Sequence, residues 1–351
     1  MTKKHKILIA AISLVVLAIV GAVYVEQRVG STMEVVGLGE LLKSQPIMPG
    51  MDLPQLGEMP ELEGLVAWIN SPELTKEDLE GKVVLIDFWT YSCINCIRTF
   101  PFLKSWWEKY QDEDFILIGI HTPEFSFEKD LGNVQSAALQ NGLTYPIALD
   151  NDYVTWRNFN NRFWPASYLF DKEGQLRYRH FGEGNYDETE LAIQQLLAVD
   201  EELTQEEEPD FEKINSPETY FGYGRMERNS STAVAGSATR DVVATYIMQG
   251  LKLNYWGFEG NWKVAREYAE ASEEGARLTF KYNAGSANFV MAPPSTGPVE
   301  VDVFVDESFV QTITVDHSDL YKAYASDPEE HQITLVAKEA GLQIYSVTFG
   351  D

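Results

Sequence analysis

Two cysteines, Cys93 and Cys96, are the only ones in the 351-residue chain, and two residues separate them. The apolar run before them, residues 82–89, has the composition of a buried strand, and residues 97–110 have that of a helix. The partly positive end of a helix stabilises a thiolate placed there. The spacing therefore predicts a redox dithiol, with Cys93 as the exposed, low-pKa attacking thiol and Cys96 as the resolving thiol.

Two other roles for the cysteine pair are weaker. A structural zinc site needs four ligands, and the five histidines show no His-x3–5-His spacing that would complete the set. An inert disulfide is conceivable, but a loop of four residues gains little stability from being closed. We expect no metal and no other cofactor.

The N-terminal segment predicts a membrane anchor. Basic residues, Lys3, Lys4 and Lys6, precede a charge-free apolar run at residues 7–25, which approaches the roughly 20 residues of a membrane-spanning helix. The basic side is expected in the cytoplasm and the rest of the chain outside. A cleaved signal peptide ending near residues 20–22 is the alternative. Both place the bulk of the protein outside the cytoplasm, in the periplasm or at the cell exterior.

The charge of the chain disfavours one class of partner. Fifty-four acidic residues against 27 basic ones give a net charge of −27. A surface this negative repels phosphate backbones, so nucleic-acid binding is not expected.

The pattern along the chain predicts two domains. After the anchor (1–26) and a stalk (27–53), residues 54–199 alternate buried strands with helices, which indicates an α/β fold around a mixed sheet. An acidic stretch at 200–215 is typical of a solvated linker that lets domains move. Residues 216–351 are expected to form an all-β, jelly-roll-like sandwich, because eight short apolar runs there are broken by Gly, Pro and Asp.

Four stretches of the first domain carry a family resemblance: residues 81–96, His121-Thr-Pro-Glu-Phe125, 144–152 and 180–188. With them, residues 54–199 closely resemble extracytoplasmic thioredoxin-like proteins of the DipZ/TlpA type. The β-rich region, with residues 218–225, resembles the carbohydrate-binding-module-like domain that follows thioredoxin in DipZ proteins. The resemblance implies a thiol–disulfide oxidoreductase with protein clients, in a thioredoxin fold.

The resemblance also assigns roles to residues near the dithiol. Asp87, six residues before Cys93, matches the buried carboxylate that exchanges a proton with the resolving thiol; burial would raise its pKa. Pro165 matches the cis-proline beside the cysteines, which offers an unpaired backbone edge to the substrate. Glu124 matches a loop glutamate that modulates thiol protonation. His121 is more often a plain loop histidine.

One departure from the DipZ pattern concerns electron supply. DipZ proteins carry a multi-span membrane domain that delivers electrons, whereas here a single predicted anchor stands in its place. The resemblance therefore implies a separate membrane electron donor of the CcdA/DsbD type.

Two rival functions remain open. A peroxiredoxin-like peroxidase is suggested by Thr90-x-x-Cys93, although that family has a proline where this chain has Ile86. A glycan- or protein-binding module with an auxiliary redox domain is the other, since Trp256, Trp262, Tyr220 and Tyr223 are candidate sugar-stacking side chains. We expect those aromatic residues to be mostly core and the second domain to dock partners.

Overall fold

A computed structural model describes residues 52–234 and 240–351. The predicted anchor and all but the last two residues of the predicted stalk lie outside these described ranges. Within them, no helix combines the length and apolar character that crossing a membrane requires.

The first domain is built on a seven-stranded mixed sheet with strand order β1-β7-β6-β3-β4-β5-β2. The strands are β1 (Gly57–Glu58), β2 (Trp68–Ile69), β3 (Val83–Trp89), β4 (Phe115–His121), β5 (Ile147–Leu149), β6 (Ala166–Phe170) and β7 (Gln175–Phe181). β3 runs parallel to β4 and β4 parallel to β5, while β6 pairs antiparallel with both β3 and β7. This is the mixed sheet that the alternating pattern predicted.

Five helices accompany this sheet: α1 (Lys76–Leu79), α2 (Ile94–Tyr110), α3 (Leu131–Gln140), α4 (Val154–Asn158) and α5 (Tyr186–Leu197). The segment between β4 and β5 contains two helical parts, a 3-10 turn and the helix α3. A 3-10 turn at Ser126–Lys129 ends at Asp130, whose side chain then caps α3 by accepting the N–H of Asn133.

The central strands β3 and β4 are buried along their whole length, as continuous apolar runs in parallel sheets usually are. Val84, Ile86 and Phe88 on one face of β3 share a core cluster with Trp156 and Phe159 at the α4 end. The alternate face carries Asp87, which points away from this cluster because side chains alternate along a strand.

The second domain is antiparallel and all-β. Its strands are β8 (Thr219–Tyr220), β9 (Ser231–Ala233), β10 (Val243–Met248), β11 (Trp256–Val264), β12 (Ala269–Ala271), β13 (Arg277–Ala292), β14 (Val299–Val305), β15 (Ser308–Val315), β16 (Asp319–Ala337) and β17 (Gln343–Gly350). Two of the eight apolar runs of this region, at 276–282 and 287–291, are parts of one long strand, β13, which begins at Arg277. All ten strands belong to one hydrogen-bonded network, because β13 pairs with β11, β16 and β17 and so joins the layers that a two-sheet sandwich would keep apart.

The start of the acidic segment at 200–215 is held against the first domain, which corrects the expectation that the whole segment is a free linker. The backbone N–H of Thr204 donates to the Glu190 carboxylate at 2.7 Å, and Lys109 donates both to that carboxylate and to the carbonyl of Glu202. Glu190 itself is buried on α5. A buried acceptor with these donors fixes residues 202–204 in place despite the charge of the segment. Residues 205–208 are exposed, as expected of a solvated linker.

The two domains share a packed interface beside the dithiol. Phe125, in the loop after β4, is 1% exposed and clusters with Val290, Ala292 and Tyr345 of the second domain. The Arg98 guanidinium donates to the carbonyl oxygen of Phe349 at 2.9 Å. The domain motion expected from the linker is therefore opposed in this structure by both apolar packing and hydrogen bonds.

Candidate active site

The dithiol lies where β3 meets the N-terminus of α2. Cys93 is the N-cap residue of that helix, and its sulfur accepts the backbone N–H of Cys96 at 3.3 Å. Cys93 is half-buried, whereas Cys96 is fully buried one turn into the helix. Both cysteines are free thiols. The accessible thiol is thus placed to meet a substrate and the buried one to resolve it, as the spacing predicted.

Asp87 is buried beneath the dithiol on the inner face of β3. It is 1% exposed; one carboxylate oxygen accepts the Ser167 hydroxyl at 2.9 Å, and the other has no hydrogen-bond partner among the described residues. Burial raises the pKa of Asp87 to about 7, although the Ser167 bond opposes the rise. The expected burial of Asp87 is confirmed, and a carboxyl with this pKa can take or give a proton at neutral pH.

The pKa of Cys96 is raised well above the usual value, first by burial, then by hydrogen bonding and charge from Cys93, with a smaller contribution from the charge of Asp87. The thiol of Cys96 is therefore protonated in the resting dithiol. A base must remove that proton before Cys96 can attack. Asp87 is near enough to act electrostatically on Cys96 and has the matching pKa, which suits it to that task.

The pKa of Cys93 is raised, whereas the sequence predicted a low value. The hydrogen bond from Cys96 lowers the pKa of Cys93, but burial and the negative charges of Glu218 and Glu124 raise it more, so the net shift is upward. The hydrogen bonds at the helix N-terminus lower the pKa of Cys93 as expected, but the charges of Glu124 and Glu218 were not expected. Glu218 acts from the second domain, so the sequence around the cysteines could not reveal it.

Pro165 stands directly before β6, the strand that pairs with β3 at Asp87 and Ser167. The Trp164–Pro165 peptide bond is cis, as expected. The carbonyl of Pro165 accepts the N–H of Gly182 at 2.9 Å, which joins the start of β6 to the end of β7. The free backbone edge for a substrate at the cis bond stays a prediction. The Trp164 indole N–H donates to the carbonyl of Thr122 and fixes the loop on the dithiol side of the sheet.

Glu124 lies in the loop after β4, at the same sheet edge as the dithiol, as predicted. Its side chain is 9% exposed and accepts two hydrogen bonds from the second domain, from the Tyr220 hydroxyl at 2.8 Å and from the Arg225 guanidinium at 2.6 Å. Arg225 also stacks over the Tyr220 ring at 3.6 Å. The loop glutamate is thus held by an ion pair between domains, which the sequence did not reveal.

Glu128 is a positioning residue that sequence reasoning missed. It is fully buried; one oxygen accepts the Ser92 hydroxyl at 2.6 Å, and the other accepts the N–H groups of Glu124 and Phe125. Burial, then the charge of Glu124, raises the pKa of Glu128 to about 7. Through these hydrogen bonds Glu128 connects Ser92, the residue before Cys93, with the loop that carries Glu124. Its only sequence signal is an acidic residue in an aromatic-rich loop.

Two histidines of the described residues, His121 and His331, make contacts that do not involve the dithiol. His121, the last residue of β4, is fully buried beside Thr90, and burial lowers its pKa to about 3. In the second domain His331 contacts Asp306 at 2.8 Å and the Ser326 hydroxyl at 3.0 Å. That hydroxyl also donates to the carbonyl of Asp327. These contacts of His331 hold β16 against the turn between β14 and β15.

The four candidate sugar-stacking residues fall into two groups, two that are buried in the core and two that make polar contacts. Trp256 and Trp262 are fully buried in the core of the second domain, where they cannot stack on a sugar. Tyr220 belongs to the Glu124 contact, and Tyr223 donates to Asp241. In the described ranges no group of three or more His, Cys, Asp or Glu side chains could hold a metal ion.

Comparisons with known proteins agree with this geometry. Residues 59–179 match the model of the AhpC/TSA family, and residues 216–350 match that of the "Thioredoxin like C-terminal domain". The chain is 35% identical over 312 residues to "Protein DipZ" of Mycobacterium tuberculosis, covering 85% of this chain and 44% of that protein. It therefore spans less than half the length of the DipZ proteins that it matches.

Two smaller proteins match the first domain alone. "Thiol-disulfide oxidoreductase YkuV" of Bacillus subtilis is 37% identical over 144 residues, covering 41% of this chain and 96% of that protein. A solution structure of "a Thioredoxin-like Protein in the Oxidized Form" is 36% identical, covers 40% of this chain and 95% of that one, and has a TM-score of 0.38.

Proposed function

The chain belongs to the thioredoxin-like thiol–disulfide oxidoreductases and is DipZ-like in its two domains, and we propose that it reduces protein disulfides outside the cytoplasm. The observation that carries the redox role is the half-buried Cys93 at the N-terminus of α2, with buried Cys96 and Asp87 behind it. Protein thiols and disulfides are the partners that this exchange implies.

The reaction runs through a mixed disulfide. The Cys93 thiolate attacks one sulfur of the client disulfide, and the other client sulfur leaves as a thiolate that takes up a proton. Asp87 accepts the proton of Cys96, whose thiolate then attacks the Cys93 sulfur. The second client thiolate leaves and takes the proton back from Asp87. The client gains two electrons and two protons, and Cys93 and Cys96 become a disulfide.

The charges around the dithiol favour work as a reductant. A disulfide becomes strongly oxidising when its reduced form is stabilised as a thiolate. Here burial and nearby carboxylates raise the pKa of both Cys93 and Cys96, so the thiolate gains no such stabilisation. The equilibrium potential of the dithiol against glutathione is the direct test. A value near that of thioredoxin, about −270 mV, supports a reductant, and one near that of DsbA, about −120 mV, contradicts it.

A cysteine variant tests the exchange itself. Cys96→Ser removes the resolving thiol and should accumulate client proteins as mixed disulfides on Cys93, visible as reducible high-mass adducts. Cys93→Ser is the matched control, because it keeps Cys96 but lacks the accessible attacking thiol. If neither variant forms an adduct with any disulfide-bonded protein, the oxidoreductase function in protein disulfide exchange fails.

The membrane setting is a second part of the proposal. The apolar run at 7–25 with basic residues before it supports a single anchor that leaves the dithiol domain outside the cytoplasm. A separate membrane protein of the CcdA/DsbD type would then re-reduce Cys93–Cys96. Reporter fusions after residue 53 test the orientation: alkaline phosphatase should be active there and a cytoplasmic reporter inactive. The reverse pattern would contradict the external location.

A peroxidase is the second candidate function, favoured by the AhpC/TSA match and by Thr90-x-x-Cys93. In the structure the Thr90 hydroxyl lies 3.4 Å from the buried His121 nitrogen. Consumption of hydrogen peroxide by the reduced protein separates the two functions. Turnover of peroxide faster than that of a protein disulfide would make the peroxidase the better assignment.

A further inference from the structure

The interface between the domains leaves a cavity of about 230 Å³ next to the dithiol. It opens beside Asn95, the residue that directly precedes Cys96, and both domains contribute to its wall. The residues that matter here are Asn95, Arg98, Glu183, Glu218, Thr348 and Phe349. A substrate segment that enters this cavity beside Asn95 therefore meets the second domain as well as the first.

Glu218 of the second domain lines two neighbouring cavities, which together are called the cleft below. It lines the 230 Å³ cavity and also a neighbouring one of about 440 Å³ that includes Tyr220 and Arg225. Glu218 is in contact with solvent, yet desolvation by the cleft walls, and then the charge of Glu124, raise the pKa of Glu218 to about 7. It therefore carries its full charge only above neutral pH. Within the described residues no cation lies at salt-bridge distance from Glu218, although Arg225 is near enough for its charge to act.

The other charges of the cleft are largely paired. Arg98 faces Glu183 at 3.4 Å, and Arg225 binds Glu124 at 2.6 Å. Among the described residues Glu218 is the cleft carboxylate without a salt bridge, so once it is ionised it sets the sign of the field. That field acts on Cys93, because the charge of Glu218 has a larger effect on the thiol than that of Glu124. The same field acts on any charged substrate beside the sulfur.

A second feature shows that the cleft has an unused polar group. Thr348 of β17 is 5% exposed, contributes to the cavity wall, and its hydroxyl has no hydrogen-bond partner among the described residues. Buried hydroxyls are normally hydrogen-bonded, so an unpaired one in a cavity wall marks a contact that a ligand can complete. A peptide backbone or an ammonium group entering the cleft would supply that partner.

We propose that this cleft binds the polypeptide segment flanking the client's cysteine, and that Glu218 of the second domain makes it selective for positively charged segments. The proposal rests on the disulfide-reducing function given above and names its substrate class. Glu218 is a specificity residue that acts by charge and takes no part in the bond changes. A carboxylate there attracts a lysine or arginine beside the client disulfide and repels an acidic one.

Three small disulfides test this selection in the full-length reduced protein: cationic cystamine, neutral 2-hydroxyethyl disulfide and anionic dithiodiglycolate. Single-turnover rates are followed by stopped-flow fluorescence at about pH 8.5, above the pKa of Glu218 of about 7, so that this carboxylate is ionised. Each rate is divided by that of reduced dithiothreitol with the same disulfide, which removes intrinsic reactivity. We expect the corrected cystamine-to-dithiodiglycolate ratio to be about tenfold at low salt, equivalent to about 1.4 kcal/mol. It should fall towards one at about 1 M salt, where the screening length is about 3 Å.

Two variants locate the source of the ratio. Glu218→Gln keeps the size of the side chain and should reduce the ratio to about threefold or less. Any effect of the substitution on Cys93 itself cancels in the ratio. Glu274→Gln removes one charge from an exposed turn that lines neither cavity, and it should leave the ratio unchanged. Circular dichroism confirms that both variants are folded.

Each outcome decides one question. A corrected ratio near one in the unmodified protein overturns charge selection by the cleft. An unchanged ratio in Glu218→Gln, or an equal fall in Glu274→Gln, overturns the role of Glu218. Failure to reduce any of the three disulfides would count instead against the oxidoreductase function on which the proposal rests.

Discussion

Replacing Asp87 with asparagine should make the protein more stable at alkaline pH and less stable at acid pH, while slowing the resolving step. The pKa of Asp87 is about 7 in the folded protein, against about 3.9 for an aspartate in an unfolded chain. Between these values the folded state holds more protons than the unfolded state. The stability from this group is therefore full below about pH 4 and is lost as the pH rises through 7.

The size of the effect follows from the shift. About three pKa units at about 1.4 kcal/mol each give a cost of about 4 kcal/mol for an ionised Asp87 above pH 7. Asparagine avoids that cost but leaves a buried amide N–H group without an acceptor, which costs about 1–3 kcal/mol. We expect Asp87→Asn to gain about 1–3 kcal/mol at pH 8 and to lose about as much at pH 4.

Urea unfolding of the reduced protein, followed by tryptophan fluorescence from pH 4 to 8, measures this difference. Ser167→Ala is the matched control, because it keeps the carboxyl and removes the hydroxyl that donates to it. That variant should steepen the loss of stability with pH, since the Ser167 bond favours the charged form. A free-energy difference between Asp87→Asn and the unmodified protein that does not change with pH would refute the assigned pKa.

The same variant tests the proton relay. With Ellman's disulfide, attack by Cys93 releases one thionitrobenzoate and attack by Cys96 releases the second, so two kinetic phases separate the steps. Loss of a general base typically slows a step by about 10²-fold or more. We expect the second phase to slow by about that factor at pH 7, with a smaller change in the first phase. An unchanged second phase would show that Asp87 does not take the proton of Cys96.

Three further variants probe the surroundings of the dithiol. Iodoacetamide should modify Cys93 with an apparent pKa above the free-cysteine value of about 8.5. Glu124→Gln should lower that apparent pKa of Cys93. A pKa of Cys93 below about 8 in the unmodified protein would contradict the charge argument. Glu190→Ala should cost about 3–5 kcal/mol in unfolding free energy by leaving Lys109 without its buried partner; calorimetry that shows under 1 kcal/mol would contradict it. Deleting residues 216–351 should expose Phe125, seen as increased dye binding, and lower the apparent pKa of Cys93 because Glu218 is removed; an unchanged alkylation profile would exclude an effect of Glu218 on the thiol.

The sequence predicts those parts of the site that depend on neighbouring residues and on strand alternation. A continuous apolar run flanks Asp87, and such runs form central strands, so its burial could be predicted. The placement of Cys93 at a helix start and of Glu124 at the same sheet edge follows from strands that end together. Pro165 was found only by resemblance, since nothing in its local composition favours a cis bond.

The parts that sequence reasoning missed depend on contacts between segments far apart in the chain. The pKa of Cys93 was expected to be low because only the helix end was considered, whereas Glu218 reaches it from 125 residues further along. The linker was expected to be mobile because it is acidic. Its charge did not reveal that a buried Glu190 on α5 accepts the Thr204 N–H and so holds the start of the linker against the first domain. Charge patterns describe a segment in water and do not report which donors it will meet after folding.

The charges that raise the pKa of Cys93 also connect substrate choice to activation. In the free protein, burial and the carboxylates of Glu124 and Glu218 keep the thiol protonated and so slow to react. A cationic client segment beside Glu218 would offset the charge that disfavours the thiolate. Binding of the preferred substrate would thereby lower the pKa of Cys93 and raise the thiolate fraction, whereas an anionic disulfide would leave the thiol unreactive. Selection and activation would then have one electrostatic source, and the second domain would contribute to catalysis without contacting the sulfurs.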